Sequence, residues 1–261
     1  MRVLSALARR CTAVLAYHGI ADLPLSEDPR RLMIPPARLR AQVSALRDAG
    51  FELVTVSELA RRADSGPPPP GLVALTFDDA YLNLLEPLLT LADQGVPSAV
   101  YVTTDWIGGR FPRMPESEDA RILDREQIRT LAEAGVEIGA HTLSHPDLST
   151  LPVAEAVREL RESREILESI IGRPVTTAAY PFGRYKEESL GAARDAGIRI
   201  ALAEAGGRGW EPLAMSRAPI GRGESWPAFT AKVSGQWPRF EGSAAGRFAR
   251  WTVSRLRGRF R

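Results

Sequence analysis

Residues 72–79 read LVALTFDD. The apolar run up to Phe77 shows no alternation of apolar and polar side chains, so neither face is made for water. It predicts an interior strand with neighbours on both sides, as in parallel sheets covered by helices. The run stops at two adjacent acids, Asp78 and Asp79. In parallel α/β architectures binding and catalytic groups collect at the carboxyl ends of strands, so this abrupt change marks a candidate site.

Working outward, the pattern repeats on both sides. Strands are predicted over 13–17, 51–54, 98–102, 136–140, 176–180 and 199–202, and helices over 36–49, 81–94, 125–134, 152–171 and 186–196. Leu39, Val43 and Leu46 line one face of the first helix, and Gly50 follows it in the position that commonly ends helices. Ser57 suits the N-cap of a further helix, and Pro87 should kink or shorten helix 81–94. Residues 65–71, SGPPPPG, cannot continue a helix and predict an extended surface loop. About seven strand–helix units imply an α/β fold: a distorted (β/α) barrel of about seven parallel strands with outer helices. It would occupy residues 1–240 as one catalytic domain, with 241–261 as a basic tail.

Composition narrows the function classes. The chain has 261 residues, 44% of them hydrophobic and 25% charged, ordinary for a soluble enzyme. A net charge of +2 excludes the chain as a whole from binding nucleic acid by charge. From Gly242 onward there are six arginines and no acid, and without them the body carries about −4. The tail RFARWTVSRLRGRFR (247–261) therefore reads either as solvated or as a basic amphipathic helix making peripheral contact with an anionic membrane. Cys11 is the sole cysteine, so no intrachain disulfide forms, which fits a reducing compartment. Arg9 and Arg10 interrupt the first apolar run, which reads as leading into a strand rather than as a signal peptide. The expected location is cytoplasmic, with membrane association through the tail.

Four motifs sit at predicted strand ends. Thr76-Phe-Asp-Asp79 pairs two acids, although Asp79 alone also suits the cap of the helix near Tyr81. His141-Thr-Leu-Ser-His145 holds two of the three histidines; imidazoles four apart can face one divalent cation, or be two polar loop residues. Tyr180-Pro-Phe-Gly183 marks a turn, and Tyr17-His18-Gly19 places a lone histidine after the first strand, where a structural role is also open.

Together LTFDDAY, GAHTLSHPDLS and AYPFGRY resemble the polysaccharide deacetylase family, carbohydrate esterase family 4, which carries the nodulation protein B homology domain. The resemblance runs from about Val14 to Gly235. It implies a distorted barrel and hydrolysis of the acetamide of an N-acetylated glycan. It also implies roles: Asp78 as general base, Asp79, His141 and His145 as ligands of one divalent metal, and Phe182 as a backbone donor to the oxyanion. Zinc is the first choice of metal, and cobalt, nickel or manganese also suit the donor set. Tyr180, Pro181 and Arg217 would contact substrate, with Thr142 and Ser144 shaping the groove.

The chain departs from the family in two places. The third motif often opens on arginine, whereas Ala179 stands here, so an arginine to orient the base must come from elsewhere, with Arg217 a candidate. The late Leu-x-His is missing too, since no histidine follows His145. A circularly permuted branch, the poly-N-acetylglucosamine deacetylases, carries its histidine in a Tyr-His motif on the first strand. Tyr17-His18 resembles it and makes His18 the candidate general acid. Two competing readings are a related amidase acting on a small cyclic amide or imide, and a carbohydrate-binding protein that kept the fold and lost turnover.

Overall fold

A computed structural model describes residues 2–64, 66–112, 120–204 and 207–235. The tail 241–261, with its proposed membrane contact, lies outside the described residues, as does the domain boundary at 240.

Nine strands are present among the described residues: β1 (Ala13–Tyr17), β2 (Glu52–Val54), β3 (Leu72–Phe77), β4 (Ala99–Val102), β5 (Glu137–Ala140), β6 (Thr177–Ala179), β7 (Ile200–Ala203), β8 (Met215–Ser216) and β9 (Ala218–Pro219). Every pairing is parallel, in the order β8-β7-β6-β5-β4-β3-β1-β9. β3 is the hub. β1 runs along one of its edges from Ala13↔Val73 to Tyr17↔Phe77, while β2 takes the first half of the other edge and β4 the second. β8 and β9 end the sheet on its two sides, yet only Arg217 separates them in the chain. One residue thus brings the two ends together and nearly closes the barrel.

The helices are α1 (Arg2–Ala8), α2 (Pro36–Asp48), α3 (Val56–Arg62), α4 (Leu85–Asp93), α5 (Arg125–Glu133), α6 (Val153–Ile171), α7 (Glu187–Asp195) and α8 (Trp226–Val233). All six residues of β3 are buried, and the five apolar ones divide between two cores, while the Thr76 hydroxyl donates to the Leu15 carbonyl. Val73, Leu75 and Phe77 join the large layer beneath the helices, whereas Leu72 and Ala74 join Val14, Tyr101, Leu202 and Met215 in a smaller cluster. Each large side chain so buried contributes about 1.5–3 kcal/mol, which is why β3 tolerates no polar face. Six helices end at a glycine with positive φ: Gly50, Gly95, Gly135, Gly172, Gly197 and Gly235.

The differences from expectation have local causes. Nine strands replace about seven because β8 and β9 are two residues each, too short to leave a periodic trace. Residues before β1 form α1 rather than leading straight into the strand. Thr55, not Ser57, caps α3 by accepting the Glu58 N–H, and the Ser57 hydroxyl instead donates to Glu137. Pro87 falls in the first turn of α4, where its missing N–H costs nothing, so the helix is shortened behind a 3-10 turn (Leu82–Leu84) and is not kinked. α8, capped by Ser225, lacked any forecast.

Candidate active site

Six non-glycine residues have positive φ among the described residues: Arg31, Asp79, Ala80, Thr142, His145 and Phe182. Five of them follow β3, β5 or β6 directly, and Arg31 lines the same cleft. A side chain in this conformation costs about 1–2 kcal/mol. Such strain persists only where the surroundings impose it, and it collects at functional sites. Here the surroundings can be named. His145 N–H donates to the Thr142 hydroxyl at 3.0 Å. Glu159, buried in the middle of α6, accepts the Leu143 and Ser144 N–H groups at 2.9 and 3.0 Å and the Ser144 hydroxyl at 2.8 Å. Thr142 and Ser144 therefore shape the loop that carries the histidines.

The metal-binding candidates converge. One donor atom each from Asp79, His141 and His145 lies within 4.8 Å of the others. Asp79 Oδ1 is 3.7 Å from His141 Nε2 and 3.5 Å from His145 Nε2. His141 Nδ1–H donates to the Ala179 carbonyl at 2.7 Å, which leaves the Nε2 lone pair facing Asp79. Burial, joined by the charge of Asp78, pushes the Asp79 carboxyl up to about 8. Burial also lowers the His141 imidazole, against the pull of Asp78. Asp79 Oδ1 is buried and has no hydrogen-bond partner among the described residues. A buried acceptor left without a donor costs about 1–3 kcal/mol, and a cation held by one carboxylate and two neutral imidazoles removes that cost. The donor set fits a divalent metal. Asp79 caps no helix, for the 3-10 turn after it receives no side-chain cap.

Asp78 has a different neighbour. Arg217, 1% exposed, donates from Nη1 to Oδ1 at 2.7 Å and from Nη2 to Oδ2, the two-pronged geometry natural to guanidinium and carboxylate. Burial works to raise the Asp78 carboxyl, but Arg217 and His141 hold it well below the usual carboxylate range. Arg217 thus stands in for the arginine missing at Ala179.

One cleft of about 1040 Å³ is lined by His18, Asp78, Asp79, His141, His145 and Phe182. Burial pushes the His18 imidazole down to about 4, although Asp78 opposes it. The Phe182 ring, 38% exposed, stands edge-on to His145 with centroids 4.7 Å apart. Tyr180, Pro181 and Arg217, expected to touch substrate, lie beneath the cleft instead. Tyr180 is fully buried, with its hydroxyl donating to the Leu213 carbonyl and its ring stacked on Tyr185. Pro181 is buried in its turn, and Arg217 is occupied by Asp78.

Sequence reading missed Glu159 and Phe111, and it named Trp106 only as one of four loop tryptophans, with Trp210, Trp226 and Trp237, on which a sugar could stack. Trp106 and Phe111 pack near His145 with centroids 5.5 and 6.3 Å away. Glu159 did leave a signal: an acid at a core-face position of α6, beside the buried Ala156 and Leu160.

Comparison with known proteins agrees with this geometry. The chain is 26% identical to YxkH of Bacillus subtilis (strain 168) over 225 residues, 84% of this chain and 75% of that one. It is 32% identical over 105 residues to a chitin deacetylase of Colletotrichum lindemuthianum, 40% of this chain and 38% of that one. Among solved structures, the Streptococcus pyogenes deacetylase PplD in complex with acetate superposes with a TM-score of 0.73 at 21% identity, covering 85% of this chain and 98% of that one. IcaB from Ammonifex degensii gives 0.72 at 20% identity, covering 86% and 97%. At these identities the two structures attest the fold. The family model for polysaccharide deacetylase matches residues 65–201, more than half of the sequence and the stretch that contains Asp78, Asp79, His141, His145 and Phe182, so the chain belongs to the polysaccharide deacetylase family.

Proposed function

We propose that this enzyme removes the acetyl group from an N-acetylated sugar of a poly- or oligosaccharide or a lipid-linked glycan, with one divalent cation, zinc first among the choices. The observation that carries the reading is the division of labour between adjacent acids. Asp78 is kept ionised by Arg217, and Asp79 turns a buried, unpartnered oxygen toward two histidines in the same cleft.

Asp79, His141 and His145 would hold the cation. When bound, such an ion supplies Lewis acidity toward a carbonyl oxygen and makes water more acidic. Asp78, fixed by Arg217, takes the proton of the attacking water. The Phe182 N–H, in its left-handed turn, donates to the oxyanion as the carbonyl carbon becomes tetrahedral. His18 is neutral near pH 7, because burial has pushed it down to about 4. It takes up a proton from solvent as negative charge develops beside it and passes that proton to the nitrogen as the C–N bond breaks, while Asp78 returns the proton taken from water to solvent as the products leave. Acetate and a free amino sugar leave.

The test is acetate release from N-acetylglucosamine oligomers and lipid-linked sugars, with metal content measured in parallel. Asp78→Asn should abolish release and keep about one metal per chain; a fully active variant overturns the base assignment. His141→Ala should lose metal, and normal occupancy excludes it as a ligand. His18→Ala should slow turnover strongly with metal retained, and unchanged turnover sends the proton role elsewhere. Small cyclic amides serve as the opposing substrates, and preference for them would transfer the activity to an amidase. The aromatic rings of Phe111 and Phe182 in the cleft wall favour the sugar, whose faces pack on such rings. The complete set of Asp78, Asp79, His141 and His145 favours turnover over mere binding.

A further inference from the structure

Across the cleft from the histidine loop, the wall is built by the segment that follows β1, which contributes Leu25, Pro29, Arg30, Arg31 and Leu32. Arg30 and Arg31 are exposed to the cleft mouth and meet no carboxylate among the described residues. Of the acids of the cleft, Asp78 is paired with Arg217, Asp79 Oδ1 faces the two histidines, and Glu204 lies 3.6 Å from Arg217.

This is not a loose surface pair. The buried Asp28 carboxylate accepts the Leu32 and Met33 N–H groups at 2.8 and 3.1 Å, and the Asp28 carbonyl accepts the Arg31 N–H at 3.0 Å. The Arg31 carbonyl accepts the Arg222 N–H at 3.2 Å, and Ile34 N–H donates to Gly19 O at 3.1 Å. Met33 and Ile34 anchor the far side in the core. Arg31 itself is held at φ 57°, among the described residues the one left-handed non-glycine position outside the loops after β3, β5 and β6. The Arg30 guanidinium stands 6.0 Å from the centre of the Phe111 ring, which also packs near His145 with centroids 6.3 Å apart. Two consecutive cationic residues thus rise from a backbone held in place at the wall of the cleft that contains the reacting groups, where an incoming anion would meet both charges.

We propose that Arg30 and Arg31 are specificity residues that receive an oxyanion carried by the substrate, so that the preferred acetamido sugar bears a carboxylate or a phosphate close to the acetamide. This rests on the deacetylase reading above and narrows its substrate class.

The test compares acetate release by the full-length protein from three probes: a neutral N-acetylglucosamine oligomer, an N-acetylmuramic acid-containing disaccharide that carries a carboxylate, and N-acetylglucosamine diphosphate on a short prenyl chain. Arg30→Gln, Arg31→Gln and the double variant are measured beside the wild type, with thermal melts to confirm folding. An anionic probe should be preferred over the neutral one by about tenfold or more in kcat/KM at low salt. That preference should shrink with added salt and collapse in the double variant, mainly through KM. Whichever anionic probe leads assigns the group as carboxylate or phosphate. Preference for the neutral oligomer, or equal losses on all probes in the variants, overturns the proposal. Calorimetric binding of the same anionic sugars separates it from the reading it rests on. Should no probe release acetate, the deacetylase reading falls, and weaker binding to the double variant still decides the role of Arg30 and Arg31.

Discussion

The two ends of the barrel solve the same turning problem in opposite ways. Where helices run back into strands, the left-handed turns use glycine: Gly50, Gly95, Gly135 and Gly197. The first three have nothing within 4 Å of where a Cβ would stand, so backbone conformation alone calls for glycine there. Where strands run out toward the site, the same region of backbone space is filled by Asp79, Ala80, Thr142, His145 and Phe182. One end takes the inexpensive residue; the other accepts strain to aim a carboxylate, an imidazole and a backbone N–H at one point. A barrel end that serves stability and one that serves chemistry can thus be told apart by which residues occupy the left-handed backbone positions.

The sharpest way to break this contrast is at Arg217. Arg217→Ala should leave Asp78 charged and unpaired in the interior, costing about 3–5 kcal/mol of stability and cutting acetate release by at least about a hundredfold. A melt and a rate assay would show it. A variant that keeps both stability and turnover removes Asp78–Arg217 from the active end. Next, Glu159→Ala frees the loop between the histidines, and metal affinity should fall by about 10–100-fold in competition with a coloured chelator. Affinity equal to wild type would mean that the strained loop holds itself.

Protonation offers a third test, made on protein treated with a chelator. The folded Asp79 carboxyl, raised to about 8 by burial and Asp78, keeps its proton where the unfolded group, near 3.8, has lost it. Its contribution to stability is therefore full at low pH and is lost as pH rises toward 8. His18, near 4 when folded and 6.5 when unfolded, acts in reverse, with stability present above pH 6.5 and lost as pH falls toward 4. The two oppose each other between pH 4 and 6.5, and above 6.5 Asp79 acts without that opposition. The melting temperature should fall from pH 6.5 to 8, by the equivalent of about 2 kcal/mol, and Asp79→Asn should flatten the curve. A rise over that interval would contradict the assignment. The smallest effect belongs to the glycine end. Gly135→Ala should cost about 1 kcal/mol in a melt and leave turnover as it was; a loss of activity would show that the two ends are coupled.

Much of this contrast was legible in the residues. β1 and β3 fell where their apolar runs lay, because a strand buried on both faces has no polar option. The grouping of Asp79, His141 and His145 was readable because two histidines four apart follow a strand. Arg217 could be singled out because Ala179 left a vacancy for an arginine. What stayed hidden depends on depth and on distant packing. Tyr180 and Pro181 share the Phe182 turn, yet a single left-handed residue sends the Phe182 ring outward and leaves its neighbours below. β8 and β9 are defined by their partners and not by their own two residues. Glu159 acts on a loop 15 residues before it, and no spacing rule announces that.

The position of Arg217 between β8 and β9 has one more consequence. It lies beyond the family match, which ends at 201, in the short piece of chain that clasps the ring. The residue that joins the two ends of the sheet is therefore also the one that pairs with Asp78. A protein nicked between 207 and 215 could keep every signature residue of its family and still fall silent, so the rate of acetate release reports whether the clasp is shut.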